Sequence, residues 1–418
     1  MITSRKYLYL IIFCVPLAFI FSQCFNLEKK QDPRGSAFAG SASCIKCHRN
    51  LYNSYLTTAH YKASQTASVR TVHGSFHPDS NTFFIDKNLK IVLEKHNNGF
   101  FQTAYANGKI TNSQRFDIVF GGIKGETYVY WKGDQLFQLP LSYFNRLKIW
   151  GTSPGYDASQ VDYSRAIGTR CFECHSSFIN ENLQQTKNLH QAESFDKSSL
   201  ILSIDCERCH GPLANHVEFQ TANPDQKTAK FVAQYQSLSR AQKLDACAVC
   251  HSGNKSTMLK STFGFKPGNL LANFKLPDLN EGVASTSNLD VHGNQMQLLA
   301  SSKCFVMSKM DCSSCHNTHN NERGNEMLFA QRCMNCHKTA DHNFCKKAGS
   351  ITANALRMNC VKCHMPEKNS TAITVQTSVK AVAVPFSVTT HRIAVYPQES
   401  AKIMAYLKDT NKRSINND

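Results

Sequence analysis

Residues 206–216 read CERCHGPLANH, and the two histidines of that stretch, His210 and His216, decide how the rest of the chain is read. Cys206 and Cys209 stand three positions apart with His210 directly behind them. Two thiols at this spacing can each add to one vinyl group of a single porphyrin, and the histidine behind them can give its imidazole to the iron. The pattern occurs seven times: Cys44/Cys47/His48, Cys171/Cys174/His175, Cys206/Cys209/His210, Cys247/Cys250/His251, Cys312/Cys315/His316, Cys333/Cys336/His337 and Cys360/Cys363/His364. These motifs use 14 of the 18 cysteines. Cys-x-x-Cys pairs also build zinc sites, but zinc needs two more ligands per site and has no use for a histidine fixed behind the second cysteine. With 17 histidines in 418 residues, seven consecutive hits at one position are not chance. The spacing therefore predicts seven covalently bound haems c, attached and ligated by the cysteines and histidines just named.

His216 raises the second question, which is what occupies the other face of each iron. A second histidine gives a closed electron carrier, whereas an open face gives a candidate enzyme. Ten histidines lie outside the motifs. His319, His216 and His342 follow His316, His210 and His337 too closely to pass round their own porphyrin, so each is expected to reach a neighbouring haem. His60, His292 and His391 complete a set of six. His73 and His77, in TVHGSFH, compete for the seventh place, which is assigned to His73. His96, in a β-type run, and His190, in a polar loop, read as ordinary surface or core residues. Met296, Met307 and Met310 read as packing, since histidines are in surplus.

The N-terminus and the charge bound the setting. Arg5 and Lys6 precede an apolar run from Tyr7 to Phe21, which is short for a spanning helix and fits a secretory signal over residues 1–23. The run ends in Phe21-Ser22-Gln23-Cys24, similar to a loose lipoprotein box with Cys24 as the lipidated residue. Export agrees with haem attachment, an extracytoplasmic process. The formal charge of +17 is nearly balanced once about 14 propionate charges are counted. A nucleic-acid role has no support, and residual positive surface would steer an acidic redox partner.

Further along, residues 24–43 read as a polar tether and 44–63 as a first haem segment. Residues 64–165 form a haem-free stretch of short β-type runs, among them Thr82–Ile85, Ile91–Leu93 and Thr127–Trp131. Asn97-Asn98-Gly99, Asn107-Gly108 and Gly121-Gly122 separate them as turn signals. This predicts a small antiparallel β-module between the first and second haems. Residues 166–400 carry the other six motifs amid short helices and loops, and 401–418 form a polar tail. Tyr128, Tyr130, Trp131 and Tyr143 fit core packing or a pocket edge. Cys304 and Cys345 fit a disulfide or a thiolate beside a haem.

The strings GSASCIKCH with TTAH, CFECHSS, CERCHGPLANH, CAVCHSG with KPGNLL, CSSCHNTH, and CVKCHMP with HRI cover most of the chain outside the β-module. In them the chain resembles extracytoplasmic multihaem cytochromes of the superfamily containing pentahaem nitrite reductase, hydroxylamine oxidoreductase and its tetrahaem electron acceptor. GETYVYWKGDQLFQLPLSY is similar to a segment of heptahaem members of uncertain role. The resemblance implies a mainly α scaffold of low regularity packed around stacked haem pairs, with His60, His216, His292, His319 and His391 as distal ligands. One departure is plain: nitrite reductases of that superfamily carry their active haem on Cys-x-x-Cys-Lys, and this chain has no such motif. The expected function is electron transfer through mostly bis-histidine haems, in the periplasm or on an outer membrane, between partners such as a quinol oxidase and a terminal reductase. The alternative is an oxidoreductase with one open haem acting on a small nitrogen or sulfur compound.

Overall fold

The computed structural model describes residues 31–182, 192–253, 255–276, 289–338, 344–347, 349 and 353–415. Signal residues 1–23, Cys24, His190 and His342 lie outside them. The expectation of a mainly α fold is overturned: 30% of residues are helical and 26% lie in strands, in several antiparallel sheets.

Nine strands run from residue 64 to residue 152: β1 (Ser64–Thr66), β2 (Thr82–Phe84), β3 (Leu89–His96), β4 (Gly99–Ala106), β5 (Lys109–Arg115), β6 (Ile118–Gly121), β7 (Glu126–Lys132), β8 (Gln135–Phe144) and β9 (Ile149–Thr152). β2-β3-β4-β5 form one antiparallel meander, and β1-β6-β7-β8-β9 form a second antiparallel sheet. Asn107 (φ 49°) and Gly108 (φ 75°) make the two-residue turn between β4 and β5, the left-handed pair that matches strand twist. The sheets close on Phe83, Ile91, Leu93, Phe100, Phe116, Tyr128, Leu139 and Trp150. Gln102, fully buried, ties them by donating to Leu141 O (2.7 Å) and accepting from Leu141 N (3.0 Å).

The loop before β2 is wedged onto this core. Phe76 packs on Phe100 (ring centres 4.9 Å) and Trp150 (5.8 Å), and Trp150 Nε1 donates to Ser75 O at 2.7 Å. A Cβ on Gly74 would fall 2.0 Å from the Trp150 ring. Gly74→Ala is therefore expected to cost about 1–3 kcal/mol, read as a lower denaturation midpoint with unchanged slope; an unchanged midpoint would remove the wedge from the account.

The mainly α expectation failed because strands continue past the inserted module. β10 (Ser176–Glu181) pairs with β11 (Phe195–Leu202), the two-residue β12 (Thr257–Met258) pairs with β13 (Lys275–Leu276), and β14 (Glu367–Val375) pairs with β15 (Val384–Thr389). The helices, meanwhile, are short, since each motif spends only one turn. Arg240–His251 is the longest to carry a motif. It starts at a capping box, with Ser239 and Gln242 each bonding the other's backbone N–H, and ends at its motif histidine. Among the described residues no helix is long and apolar enough to cross a membrane.

The β-module is not a separate body. Ile118, Phe120, Val129 and Leu136 share one apolar cluster with Phe172, Ile179 and Phe195, which surround the second motif. The stretch read as a tether also docks: Arg34 bonds Asp205 and Glu207 beside the third motif. Tyr128 and Tyr143 are core residues of the module, and Tyr130 donates to Tyr163 O at 2.7 Å. Trp131 is partly buried against Phe195 (ring centres 6.4 Å).

Candidate cofactor sites

In a helical turn, positions i, i+3 and i+4 share one face, so Cys-x-x-Cys-His folded as one turn presents both thiols and the imidazole to the same side. Thr169–His175, Cys206–His210, Arg240–His251 and Cys360–His364 are helices that each end at the motif histidine. In the fifth and sixth motifs a single turn is closed by His316 N on Cys312 O (2.9 Å) and His337 N on Cys333 O (3.0 Å). In the first, the helix Ile45–Tyr55 runs on but breaks its dihedrals at His48 (φ −114°, ψ 35°).

The ring nitrogens are oriented. His175 Nδ1 donates to Ala63 O (3.3 Å), His251 Nδ1 to Gln295 Oε1 (3.4 Å) and His364 Nδ1 to Ala394 O (2.9 Å). A proton held at Nδ1 leaves Nε2 as the lone-pair nitrogen, the arrangement of a metal-binding imidazole. Burial holds His175, His210, His251 and His316 below their ordinary pKa, so the neutral ring is favoured. His175, His251 and His316 are nonetheless exposed to solvent in part.

Three of the spare histidines stand opposite motif histidines. His60 faces His251 with ring centres 6.3 Å apart, His319 faces His210 at 5.9 Å, and His391 faces His316 at 6.1 Å. Two imidazoles bound to one metal at about 2 Å each, with about 1 Å from nitrogen to ring centre, stand about 6 Å apart. Aromatic pairs of other kinds also fall in that range. What is specific is that every one of the three joins a motif histidine to a non-motif histidine from a distant part of the chain. The residues present thus fit the group that the motifs imply. Burial and the neighbouring His251 push His60 down to about 4, and burial with His316 pushes His391 to about 4.

His292 lies near enough to His175 for their charges to interact. It is held by Asp290, which accepts from His292 N (2.6 Å), from Ser370 Oγ (2.9 Å) and Thr371 Oγ1 (2.7 Å), and from Ala372 N (3.0 Å). His216 sits in the neighbourhood of His210, its Nδ1 donating to Lys230 O at 2.7 Å. His73 goes elsewhere: its Nδ1 meets Glu126 Oε1 at 2.5 Å on the β-module, and among the described residues it faces no motif imidazole. His77 and His96 lie beside Asp79 and Glu94 on that module's surface. Among the described residues, no imidazole stands in ring contact with His48 or His364.

The motifs also touch one another. Cys44 lies against Cys206, Cys174 against Cys250, and Cys247 against Cys312. Cys250 Sγ donates to Glu173 O at 3.6 Å, which joins the fourth motif to the second. The two thiols expected to hold the first haem are not placed alike, and Cys47 is the one that differs. Cys44 is half-buried at its contact with Cys206, whereas Cys47 is exposed, and among the described residues no thiol of another motif lies against it. The reason is the course of the helix. Ile45–Tyr55 does not end at its motif histidine but continues along the surface, and residues 46–51 are all exposed. Cys209 and Cys336 are exposed as well, and Cys171 is half-buried in the apolar cluster around Phe172.

Cys304 and Cys345 both stand as thiols: Cys304 is beside Cys315, Cys333 and Cys336, and Cys345 is beside Cys360 and Cys363. Burial raises Cys304, which disfavours its thiolate. Met307 is exposed, and Met310 offers its carbonyl to Arg240 Nε at 2.8 Å.

The sequence reading missed the groups that aim these rings, namely Asp290, Gln295 and the carbonyls of Ala63, Lys230 and Ala394. For Asp290 a signal existed, since Asp-x-His is an Asx-turn spacing. The three carbonyls carry none.

A protein with repeated thiol–thiol–imidazole turns and facing imidazole pairs belongs to the class that binds haem covalently at several places. Comparison with known proteins agrees. Residues 152–211, which hold the second and third motifs, match the family described as cytochrome c554 and c-prime. The multiheme cytochrome MtrA of Shewanella baltica (strain OS185) is 24% identical over 190 residues, covering 43% of this chain and 55% of that one. The chain thus spans about half the length of this curated relative. The crystal structure of the outer cell wall cytochrome OcwA superposes with a TM-score of 0.52 at 16% identity, over 90% of this chain and 86% of that one, a likeness of fold. In the stretches matched by that family and by MtrA, the chain is similar to multihaem c-type cytochromes.

Proposed function

We propose that the chain carries seven haems c, one on each motif, and conducts electrons between redox partners outside the cytoplasm. The reading places covalent attachment at the fourteen motif cysteines, the exposed Cys47 among them, and proximal ligation at the seven motif histidines. Distal ligation falls to His60, His216, His292, His319, His391 and His342, while His73, bonded to Glu126, leaves the seventh place unassigned. Cys24 is proposed as a lipid anchor, with a quinol oxidase or terminal reductase as partner. The observation that carries the reading is the set of three imidazole pairs at 5.9–6.3 Å, each joining a motif histidine to a remote one.

When bound, haem would supply a one-electron iron couple at every motif. The chain's part is to close each iron with a second strong ligand, to hold ring orientation through Nδ1, and to keep neighbouring motifs in contact. Crossed ligation does the last of these. His60 follows the first motif and faces the fourth; His319 follows the fifth and faces the third. Each such histidine ties two motifs into one rigid unit. No general acid or base is required. The enzyme alternative keeps one specific support: His48 and His364 lack a facing imidazole among the described residues.

The test is a haem count by pyridine haemochrome, followed by carbon monoxide titration of the reduced protein and the spin state of the oxidised one. Seven haems, all low-spin and silent to carbon monoxide, are the expected result for a conductor. One haem in seven binding carbon monoxide, with a matching high-spin signal, would favour the enzyme. A count below seven would overturn the heptahaem reading.

A further inference from the structure

Two of the three thiol contacts between motifs lie in surroundings of opposite charge. Beside Cys44 and Cys206 lie Asp32, Asp205 and Glu207, with Arg34 as their shared cation. Arg34 meets Asp32 and Asp205 at 2.9 Å and Glu207 at 3.1 Å. All four side chains are buried, none more than 9% exposed. Glu207 is saturated, accepting from the backbone N–H groups of Ala39 (2.9 Å), Gly40 (2.8 Å) and Leu213 (2.8 Å). Three carboxylates against Arg34 leave a negative balance, which Arg208, inside the third motif and acting on Cys209, offsets only in part.

Beside Cys174 and Cys250 the balance reverses. Lys275 is 4% exposed, and its Nζ donates to Val249 O at 3.2 Å. Arg208, 8% exposed, donates to Thr262 O (2.7 Å) and Glu173 O (3.1 Å). Arg170 lies 3.6 Å from Glu173, whose backbone carbonyl accepts from Cys250 Sγ. Glu173 is itself held by Ser261 Oγ and Thr262 N, both at 2.8 Å. Lys275 and Arg208 against Glu173 leave a positive balance among the described residues.

We propose that these clusters pole the conductor, setting the reduction potentials at motifs one and three below those at motifs two and four, so that electrons entering at the former run toward the latter. The proposal rests on haem being bound at the motifs. A negative surrounding favours ferric over ferrous iron and a positive one the reverse. One elementary charge at a separation on the order of 10 Å, in an effective dielectric of about 20, shifts the one-electron equilibrium by about tenfold. An electron given up at one pair, as ferrous iron becomes ferric, is taken up at the other as ferric becomes ferrous. No proton or other reactant changes place. Motif two, which receives the electron, packs its imidazole on Phe120 of the β-module (ring centres 5.4 Å). The high-potential end of this segment thus lies against that module.

The test begins with holoprotein shown to carry its full haem count, and then follows a spectropotentiometric titration of wild type, Glu207→Gln, Asp32→Asn and Lys275→Met. Glu207→Gln and Asp32→Asn are each expected to raise low-potential components, by about tenfold in the equilibrium, which is about 59 mV for one electron. Lys275→Met is expected to lower components lying above those. The order is the decisive readout. If the components moved by Glu207→Gln lie above those moved by Lys275→Met, or if fully loaded variants titrate as wild type, the poling is overturned. Short haem counts in the wild type would overturn the cofactor reading instead, so the two failures are separable. Asp32→Asn guards against Glu207→Gln failing to fold, because Asp32 supplies only one of the guanidinium's partners.

Discussion

Replacing His60 by alanine is expected to open one iron in seven: carbon monoxide binding to the reduced protein rises from none to one per chain, and a high-spin signal appears in the oxidised form. The argument is geometric. His60 and His251 face each other at 6.3 Å, and the backbone that presents His60 is pinned, since Ile204 N donates to His60 O at 3.0 Å. Tyr55 Oη donates to Ile204 O at 2.8 Å, which fixes the helix before it. A methyl group in place of the imidazole therefore leaves a gap that the chain cannot close by sliding. Added imidazole should enter that gap and restore the low-spin state. His96→Ala is the control, because His96 lies on the β-module beside Glu94 and Phe101. If His60→Ala binds no carbon monoxide while retaining its haems, the pairing of His60 with the fourth motif is wrong.

The same pairing marks the border of what the sequence discloses. The seven attachment motifs are legible because their chemistry is local: five residues fold as one turn whatever surrounds them. The surplus of histidines is legible by inventory, and so is the idea that His319 must leave its own motif. Which iron each histidine faces is not, because His60 reaches the fourth motif only through Ile204, a residue 144 positions on. The unequal setting of Cys44 and Cys47 is hidden for the same reason, since the contact that encloses Cys44 comes from Cys206. Asn107-Gly108 announced its hairpin, since a positive φ at both positions is a local demand. Ser176–Glu181 and Glu367–Val375 announced nothing. Each is a strand because the next strand in the chain, Phe195–Leu202 or Val384–Thr389, pairs with it across an intervening loop, and its polar residues read as loop, which is how a chain with 26% strand came to be expected as mainly α. His73 failed for a related reason. Nothing near it in sequence signals the buried Glu126 that takes its Nδ1.

Arg34 is the extreme case of a long-range demand, and Arg34→Met carries the largest expected loss of stability. In sequence it sits in Gln31-Asp32-Pro33-Arg34-Gly35, which reads as a polar tether. In the fold its side chain is 5% exposed and answers three carboxylates, two of them more than 170 positions away. Removing one partner of a buried ionic cluster leaves the others charged without compensation and costs about 3–5 kcal/mol. The pH dependence separates this cause from lost packing. Burial raises the Asp32 carboxyl, while the hydrogen bonds and charge of Arg34 lower it, and the balance lies below the ordinary value. Its contribution in the wild type is thus present above the unfolded pKa and lost as pH falls through the folded one. Without the Arg34 side chain, burial is opposed only by the hydrogen bond from the backbone N–H of residue 34 (3.0 Å), so the folded carboxyl pKa rises from its wild-type position. The variant is then least stable, relative to wild type, near neutral pH and recovers part of the deficit as pH falls toward 5. Glu207→Gln in the Arg34→Met background should relieve part of the same deficit, giving a double-mutant cycle far from additive. Denaturation midpoints at two pH values check both expectations. A deficit that is equal at pH 5 and pH 7.5, with additive effects, would mean that Arg34 acts by packing alone, and the negative cluster invoked for motifs one and three would lose its charge.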